Sequence, residues 1–287
     1  MHGWLVLDKP SGLTSREVLD RVAKRLPRRT KLGHTGTLDP RATGVLVACV
    51  GAATRLAESV QAMPKKYRAL IRLGATSDTD DADGEIAERS VADPPTLEDL
   101  QKLLPQFLGT ILQMPPAYSA VKVDGKRAHA LARRGREVEL APRPVRIDSI
   151  GIERYEWPML ELTVDCGKGT YIRSLARDLG EALGCGGMIQ ELRRSKVGPF
   201  TDDNAMSLDA SRVELVAAIR PIPAGLPEMG SIVVDDDGIR RIRQGQRLPV
   251  EAGDGDCMIV DGSGTVIAIG RVDDGRFRSE IVLFGLS

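Results

Sequence analysis

The chemistry most available in this chain centres on Asp39, which stands in the run Gly33-His34-Thr35-Gly36-Thr37-Leu38-Asp39-Pro40-Arg41-Ala42-Thr43-Gly44. Pro40 biases the residue before it towards extended backbone, and the glycines permit turns and close approaches denied to other residues. The product is a carboxylate on a stiff loop, able in principle to attack an electrophile or take a proton. On local physics alone the commoner role of an Asp before Pro, a turn or a helix cap, is preferred. Other chemistries find less support. The three histidines, His2, His34 and His129, have no carboxylate or cysteine at metal-ligand spacing, so neither a metal site nor a charge-relay hydrolase is indicated. Gly167-Lys168-Gly169-Thr170 turns a strand into a helix, but the full phosphate-binding pattern G-x-x-x-x-G-K-[ST] is absent, which argues against nucleotide hydrolysis.

Several elements must hold these residues. Trp4 to Leu7 reads as a short strand, and Asp8-Lys9-Pro10-Ser11-Gly12 as the turn after it. Thr14 with Glu17 is a capping-box pattern opening a helix whose apolar face runs through Val18, Leu19, Val22, Ala23 and Leu26 to Pro27. Lys31 to Gly44 lacks apolar periodicity and is expected to be a loop. Val45 to Val50 reads as a buried strand, Thr54 towards Met63 as a helix, and Tyr67 to Leu73 as a partly amphipathic strand. Acidic Thr76 to Gly84 is expected on the surface, followed by a helix from Thr96 to Phe107. Residues 115 to 144 form a basic excursion, with a hairpin turn at Asp124-Gly125. Met159 to Cys166 is a strand, and a helix from about Thr170 to Leu183 ends at Gly184. The breaker-rich stretch Pro221 to Gly230 precedes a small all-β module.

The 287 residues allow one large domain or a large one with a small one, and 42% hydrophobic with 28% charged residues describes a globular chain. Lys and Arg number 40, as do Asp and Glu, so the formal charge is zero. The charge is nevertheless segregated. Residues 1 to 70 carry 13 basic and 5 acidic side chains, and residues 71 to 110 carry 3 and 9; residues 111 to 200 carry 15 and 11, and the remainder 9 and 15. Alternating basic and acidic stretches suit one anionic partner gripped on one side. Cys49, Cys166, Cys185 and Cys257 form no C-x-x-C pair, and no stretch reaches transmembrane length, so a soluble cytoplasmic protein with reduced thiols and no membrane partner is expected.

Six stretches, in order across most of residues 1 to 200, make the chain resemble the bacterial TruB-type tRNA pseudouridine synthases. They are Lys9 to Ser15, Gly33 to Gly44, Lys66-Tyr67-Arg68-Ala69, Pro115 to Lys122, Gly167 to Arg173, and Glu191-Leu192-Arg193-Arg194. The resemblance implies a mixed α/β (α+β) fold with a central mixed sheet flanked by helices. It implies a catalytic domain at 1–228 with a basic RNA-binding insertion near 115–144, and a PUA-like RNA-binding module at 229–287. Removal of that module is then expected to weaken tRNA binding and leave some activity.

The implied activity is isomerisation of uridine 55, in the TΨC loop of tRNA, to pseudouridine without cofactor or metal. The resemblance gives Asp39 the catalytic carboxylate, pairs Arg173 with it, and has Tyr67 stack on the extracted uracil with its hydroxyl available for proton transfer. Tyr171 and Leu192 would line the same pocket, and His34 would fill the stack that the base leaves. Lys9 is assigned to turn structure or a phosphate contact. The chain departs from the family at His129, where a Tyr is usual. A monomer engaging the T-arm is expected. The rivals are a guide-RNA-dependent synthase of the same family and a tRNA-folding chaperone without catalysis.

Overall fold

The computed structural model describes residues 1–118, 122–123, 126–127 and 140–283. In chain order the first strands are β1 (Gly3–Lys9), β2 (Leu32–His34), β3 (Thr43–Val50), β4 (Lys65–Leu73), β5 (Ala75–Ser77), β6 (Ile86–Glu88) and β7 (Gly109–Gln113). The short pair β8 (Lys122–Val123) and β9 (Lys126–Arg127) is joined in antiparallel register on either side of the expected Asp124-Gly125 turn. Then come β10 (Arg143–Glu156), β11 (Met159–Cys166), β12 (Gly187–Val197) and β13 (Phe200–Thr201). The helices up to this point are α1 (Ser15–Ala23), α2 (Ala57–Ala62), α3 (Leu97–Leu103) and α4 (Ile172–Ala182), with α5 (Arg212–Ala217) following.

Strands β1-β3-β12-β4-β11-β10-β7 form one sheet in that order, with β2 paired to β3 and β13 to β12. The sheet is mixed: β12 runs parallel to β3, with Arg193 opposite Thr43 and Arg194 opposite Gly44, and antiparallel to β4. β1 from Trp4 to Leu7 and β3 from Val45 to Val50 are apolar without interruption because both of their faces are covered. Leu5 and Leu7 point to the layer of α1, where Val18, Leu19 and Val22 meet them, whereas Trp4 and Val6 point to the opposite core. α4 covers β4 and β11 through Leu175 and Leu179, against Ile71, Leu160 and Leu162.

The local signals explain where these helices begin. Thr14 Oγ1 accepts from the Glu17 amide at 3.2 Å and the Thr14 amide donates to Glu17 Oε2 at 2.8 Å, closing the capping box. Thr96 and Asp99 repeat it at α3. Three expectations change. α1 stops at Ala23, and Leu26 reaches the core from beyond it. The helix expected from Thr54 opens instead as a 3-10 turn over Gly51–Leu56. The segment Lys31 to Gly44 is not wholly loop, since β2 adds to the edge of β3, a pairing made by long-range register that no local periodicity announces.

From Gly230 a second, five-stranded sheet forms in the order β14-β16-β17-β18-β15, built of β14 (Gly230–Val233), β15 (Leu248–Pro249), β16 (Gly255–Val260), β17 (Val266–Asp273) and β18 (Arg276–Val282), with helix α6 (Asp236–Arg243) alongside. One face does not stand apart: Met258, Val260, Val266, Ile269 and Leu283 share a core with Trp4, Val6, Val45 and Val47 of the first sheet.

Candidate active site

Lys9 fixes the loop that carries Asp39. Its side chain is fully buried, and Nζ donates to the carbonyls of Pro10 at 2.9 Å, Pro40 at 2.7 Å and Ala42 at 2.6 Å, using all three of its protons. Of the two roles expected of Lys9, turn structure or a phosphate contact, the structure shows the first, because a spent and buried ammonium has nothing to offer a phosphate. Burial pulls its pKa down to about 8, partly offset by the nearby Asp39 charge. Arg194, also buried, grips the same loop from β12 through Val45 O at 2.9 Å and Gly36 O at 3.1 Å. Ser15 Oγ accepts from the Leu38 amide at 2.9 Å, and the Gly12 amide donates to Pro40 O at 2.9 Å. The first motif, Lys9 to Ser15, is thus a cradle for the second. Gly44 makes the parallel pairing possible: its φ is +95°, and a Cβ there would lie 2.3 Å from Arg194 O.

Arg173, the second residue of α4, meets Asp39 from the other side, with Nε 3.0 Å from Oδ2. The Nε–H is not aimed along that line, so the contact is an ion pair and not an aligned hydrogen bond. The Arg173 side chain is 6% exposed and that of Asp39 is 40% exposed, which leaves one carboxylate face open. Burial raises the Asp39 carboxyl above its ordinary value, Arg173 pulls it down, and Asp81 adds to the rise. Arg173 is pinned independently of Asp39: Nη1 donates to Thr79 O at 3.0 Å and lies 3.5 Å from Asp81 Oδ2, while Nη2 donates to Tyr118 O at 3.0 Å. One turn later Arg177 binds Asp80 at 2.8 Å and Met114 O at 2.9 Å.

The acidic segment Thr76 to Gly84 is therefore no solvated surface loop. Asp81 is only 8% exposed, because two arginines of α4 draw the segment onto the site. The entry of α4 has its own brace. Gln113, 1% exposed, accepts from the Tyr171 amide at 2.8 Å and donates to the Tyr171 carbonyl at 3.0 Å. Neither Asp81 nor Gln113 is named by sequence reasoning; the i, i+4 spacing of Arg173 and Arg177 facing an acidic stretch is the one signal that points to the first.

These elements enclose a cavity of about 540 Å³ lined by Asp39, Tyr67, Tyr171, Arg173 and Leu192, together with Lys65, Lys168 and Arg194. The structure thus brings five of the six expected site residues to one concavity. His34 does not line it. It sits on β2, in register with Ala48, on the strand that leads into the Asp39 loop. Tyr67 lies opposite Arg194 across β4 and β12, and burial pushes its phenol up against the opposing pull of that guanidinium, so the hydroxyl keeps its proton near neutral pH. Lys65, held by the carbonyls of Gln61 and Met63, is drawn down to about 8 by burial. His129 and most of the basic flap lie outside the described residues. Among the described residues no cluster of three or more His, Cys, Asp or Glu is arranged to hold a metal ion, and no helix is long and apolar enough to cross a membrane.

A carboxyl lining a half-open apolar and cationic pocket can, in its ionised form, supply an electron pair to an electrophilic carbon or a proton while its counter-ion stays fixed. Comparison with known proteins shows what the chain as a whole is similar to. The profile of the TruB family pseudouridylate synthase N-terminal domain matches residues 24–172, and that of the tRNA pseudouridylate synthase B C-terminal domain matches residues 173–218. The tRNA pseudouridine synthase B of Xanthomonas axonopodis pv. citri is 46% identical, covering 100% of this chain and 96% of that protein. The enzyme of the same name from Ruegeria pomeroyi is 42% identical over 97% of this chain and 94% of its own length. Among solved structures, one in a Cbf5-Nop10-Gar1 complex superposes with a TM-score of 0.73 at 26% identity, covering 98% of this chain and 84% of the other.

Proposed function

The chain belongs to the TruB family of pseudouridylate synthases, and from that premise we propose that it isomerises uridine 55 of tRNA to pseudouridine with Asp39 as its catalytic carboxylate. The observation that carries this reading is the half-open Asp39 carboxylate, 3.0 Å from a buried Arg173, in the lining of the cavity of about 540 Å³. In the reaction the bond from ribose C1′ to uracil N1 breaks, a bond from C1′ to C5 forms, C5 loses a proton and N1 gains one. Electrons and atoms balance within the nucleoside, so no oxidant or added group is needed. Asp39 supplies the electron pair that starts the sequence, and Arg173 favours the ionised form that can do so.

A uridine within a folded arm must leave its stack to reach this depth, at a cost on the order of a few kcal/mol. Tyr67 and Leu192 offer apolar surface to the extracted base, and Tyr171 closes the wall beside Arg173. His34, outside the cavity on the strand that enters the loop, fills the gap that the base leaves in the RNA stack in this reading. The T-arm is the part of tRNA addressed, and the protein acts on it as a monomer. The unit at 1–228 carries catalysis with its basic insertion near 115–144, and the PUA-like sheet at 229–287 adds RNA contact. Four free, buried thiols accord with a cytoplasmic setting.

Incubation of the purified protein with an unmodified tRNA transcript, followed by pseudouridine mapping, tests the reading. Product at position 55 from protein and tRNA alone is expected. A requirement for a guide RNA, or tRNA binding with no product at all, would overturn it.

A further inference from the structure

Outside the lining of the catalytic cavity, four cations of the basic N-terminal region gather in a second concavity. A pocket of about 550 Å³ is lined by Arg28, Arg29, Lys31 and Arg55, together with His2 and Thr54, and no carboxylate contributes to its wall. All four cations are exposed. A wall of one sign, with no acid to neutralise it, concentrates positive potential and attracts a polyanion.

The backbone beneath these side chains is built and not slack. Arg29 holds a left-handed φ of 66°, uncommon for a residue with a side chain. Its turn is closed by Thr30, whose amide and hydroxyl both donate to Pro27 O, at 3.2 and 2.7 Å. The Gly51 amide donates to Lys31 O at 2.8 Å, and His2 Nδ1 accepts from the Ala52 amide at 3.0 Å, which ties the floor of the pocket to the start of the 3-10 turn. His2 is thereby an acceptor, and burial lowers its pKa, so the positive charge of the pocket comes from the arginines and the lysine.

The location gives the patch its partner. Lys31 leads directly into β2, which ends at His34 and continues into the Asp39 loop. At about 3.3 Å per strand residue, Lys31 and His34 are about 10 Å apart, a span on the order of three phosphates along a stacked strand. We propose that Arg28, Arg29, Lys31 and Arg55 form a phosphate-binding anchor, which holds the sugar-phosphate backbone of the substrate RNA on the His34 side of the catalytic cavity. The anchor rests on the reading of the chain as a tRNA-modifying enzyme, and it adds a grip separate from the basic flap; at its edge Arg55 donates to Val282 O of β18, so the anchor abuts the C-terminal sheet.

The test is the salt dependence of tRNA binding by the full-length protein, measured by filter binding from low to moderate salt with Arg28→Gln/Lys31→Gln and Arg28→Gln/Arg29→Gln/Lys31→Gln. Each lost phosphate contact is expected to lower the slope of log affinity against log salt by about 0.7–0.9 and to weaken binding severalfold at low salt. Arg28→Lys/Arg29→Lys keeps the charge and is expected to keep the affinity, and Lys102→Gln, which removes a cation from the acidic region, is expected to leave the slope unchanged. Circular dichroism establishes that each variant is folded. Unchanged affinity and slope in the triple variant, or weaker binding with an unchanged slope, would overturn the anchor. Wild-type protein that fails to convert tRNA would instead overturn the functional reading, so the two failures are distinguishable.

Discussion

At the scale of single residues, the site is a set of cations doing different work. Arg173 favours ionised Asp39, Lys9 and Arg194 hold the loop by its carbonyls, and only the first touches the reacting group's charge. Asp39→Asn is expected to abolish pseudouridine formation while tRNA binding and the thermal transition persist, as product mapping, filter binding and calorimetry would show. The Asp39 carboxyl is raised by burial and lowered by Arg173. The acid limb of kcat/KM should therefore lie above the ordinary value of 3.8. Arg173→Met removes the opposing charge, so that limb should move to still higher pH and the rate at neutral pH should fall. A limb that moved down would remove Arg173 from its assigned role. Arg173→Lys keeps a charge but cannot reach Thr79, Tyr118 and Asp39 at once, and turnover should fall far more than binding. The pairing of Asp39 with Arg173 was legible through the motifs that each sits in. The acidic segment around Asp81 was misjudged, and the turn-structural role of Lys9 could not be told from a phosphate contact, because a charged side chain near a turn is ordinarily solvated. What buries them comes from elements far away in sequence.

At the scale of elements, the position of Asp39 depends on how closely β3, β12 and α4 approach one another. Gly180 of α4 faces Gly187 of β12 so closely that a Cβ on Gly180 would lie 2.1 Å from the Gly187 amide nitrogen. Gly180→Ala should separate helix from sheet and cost about 1–3 kcal/mol in urea unfolding. Gly44→Ala meets both a left-handed φ and the Arg194 carbonyl, and it should reduce activity as well as stability because the displaced carbonyl belongs to the residue that grips the Asp39 loop. Equal activity in Gly44→Ala would show that the parallel pairing does not set the loop. Several elements were readable from local signals: the box at Thr14, the apolar Leu97, Leu100, Leu103 and Leu104 of the helix after Thr96, the alternation of β11, and the stop of α4 at Gly184, whereas β12, which carries Leu192 and Arg194, was not. The long strand β10 was not read, since register shifts between Ile147 and Ser149 and between Ile152 and Arg154 break its alternation. The three residues of β2 are too few to show a period.

At the scale of the whole molecule, stability should respond to alkali in two stages. Lys9 and Lys65 titrate near 8 when folded and near 10.5 otherwise, so between these values the unfolded chain binds more protons and stability rises with pH. Cys49 and Cys166 are raised from 9.0 to about 12 and about 11, so above 9 the folded chain binds more protons and stability falls. The urea midpoint should climb from pH 7.5 to about 9 and then level or decline. A monotonic fall from neutrality would contradict the burial of the two lysines.

The core shared between the two sheets also revises what removing residues beyond 229 should do. Trp4, Val6, Val45 and Val47 would lose Met258, Val260 and Leu283. The shortened chain should then aggregate or melt early, so substitutions of exposed residues on the second sheet are the sounder probe of its RNA contact. This same arrangement bears on synthesis in the cell. β1 waits for partners far downstream, Met258, Val260 and Leu283, so a ribosome must deliver that later segment before this interior can close. Prematurely terminated products should accordingly be substrates for proteases and not half-working enzymes.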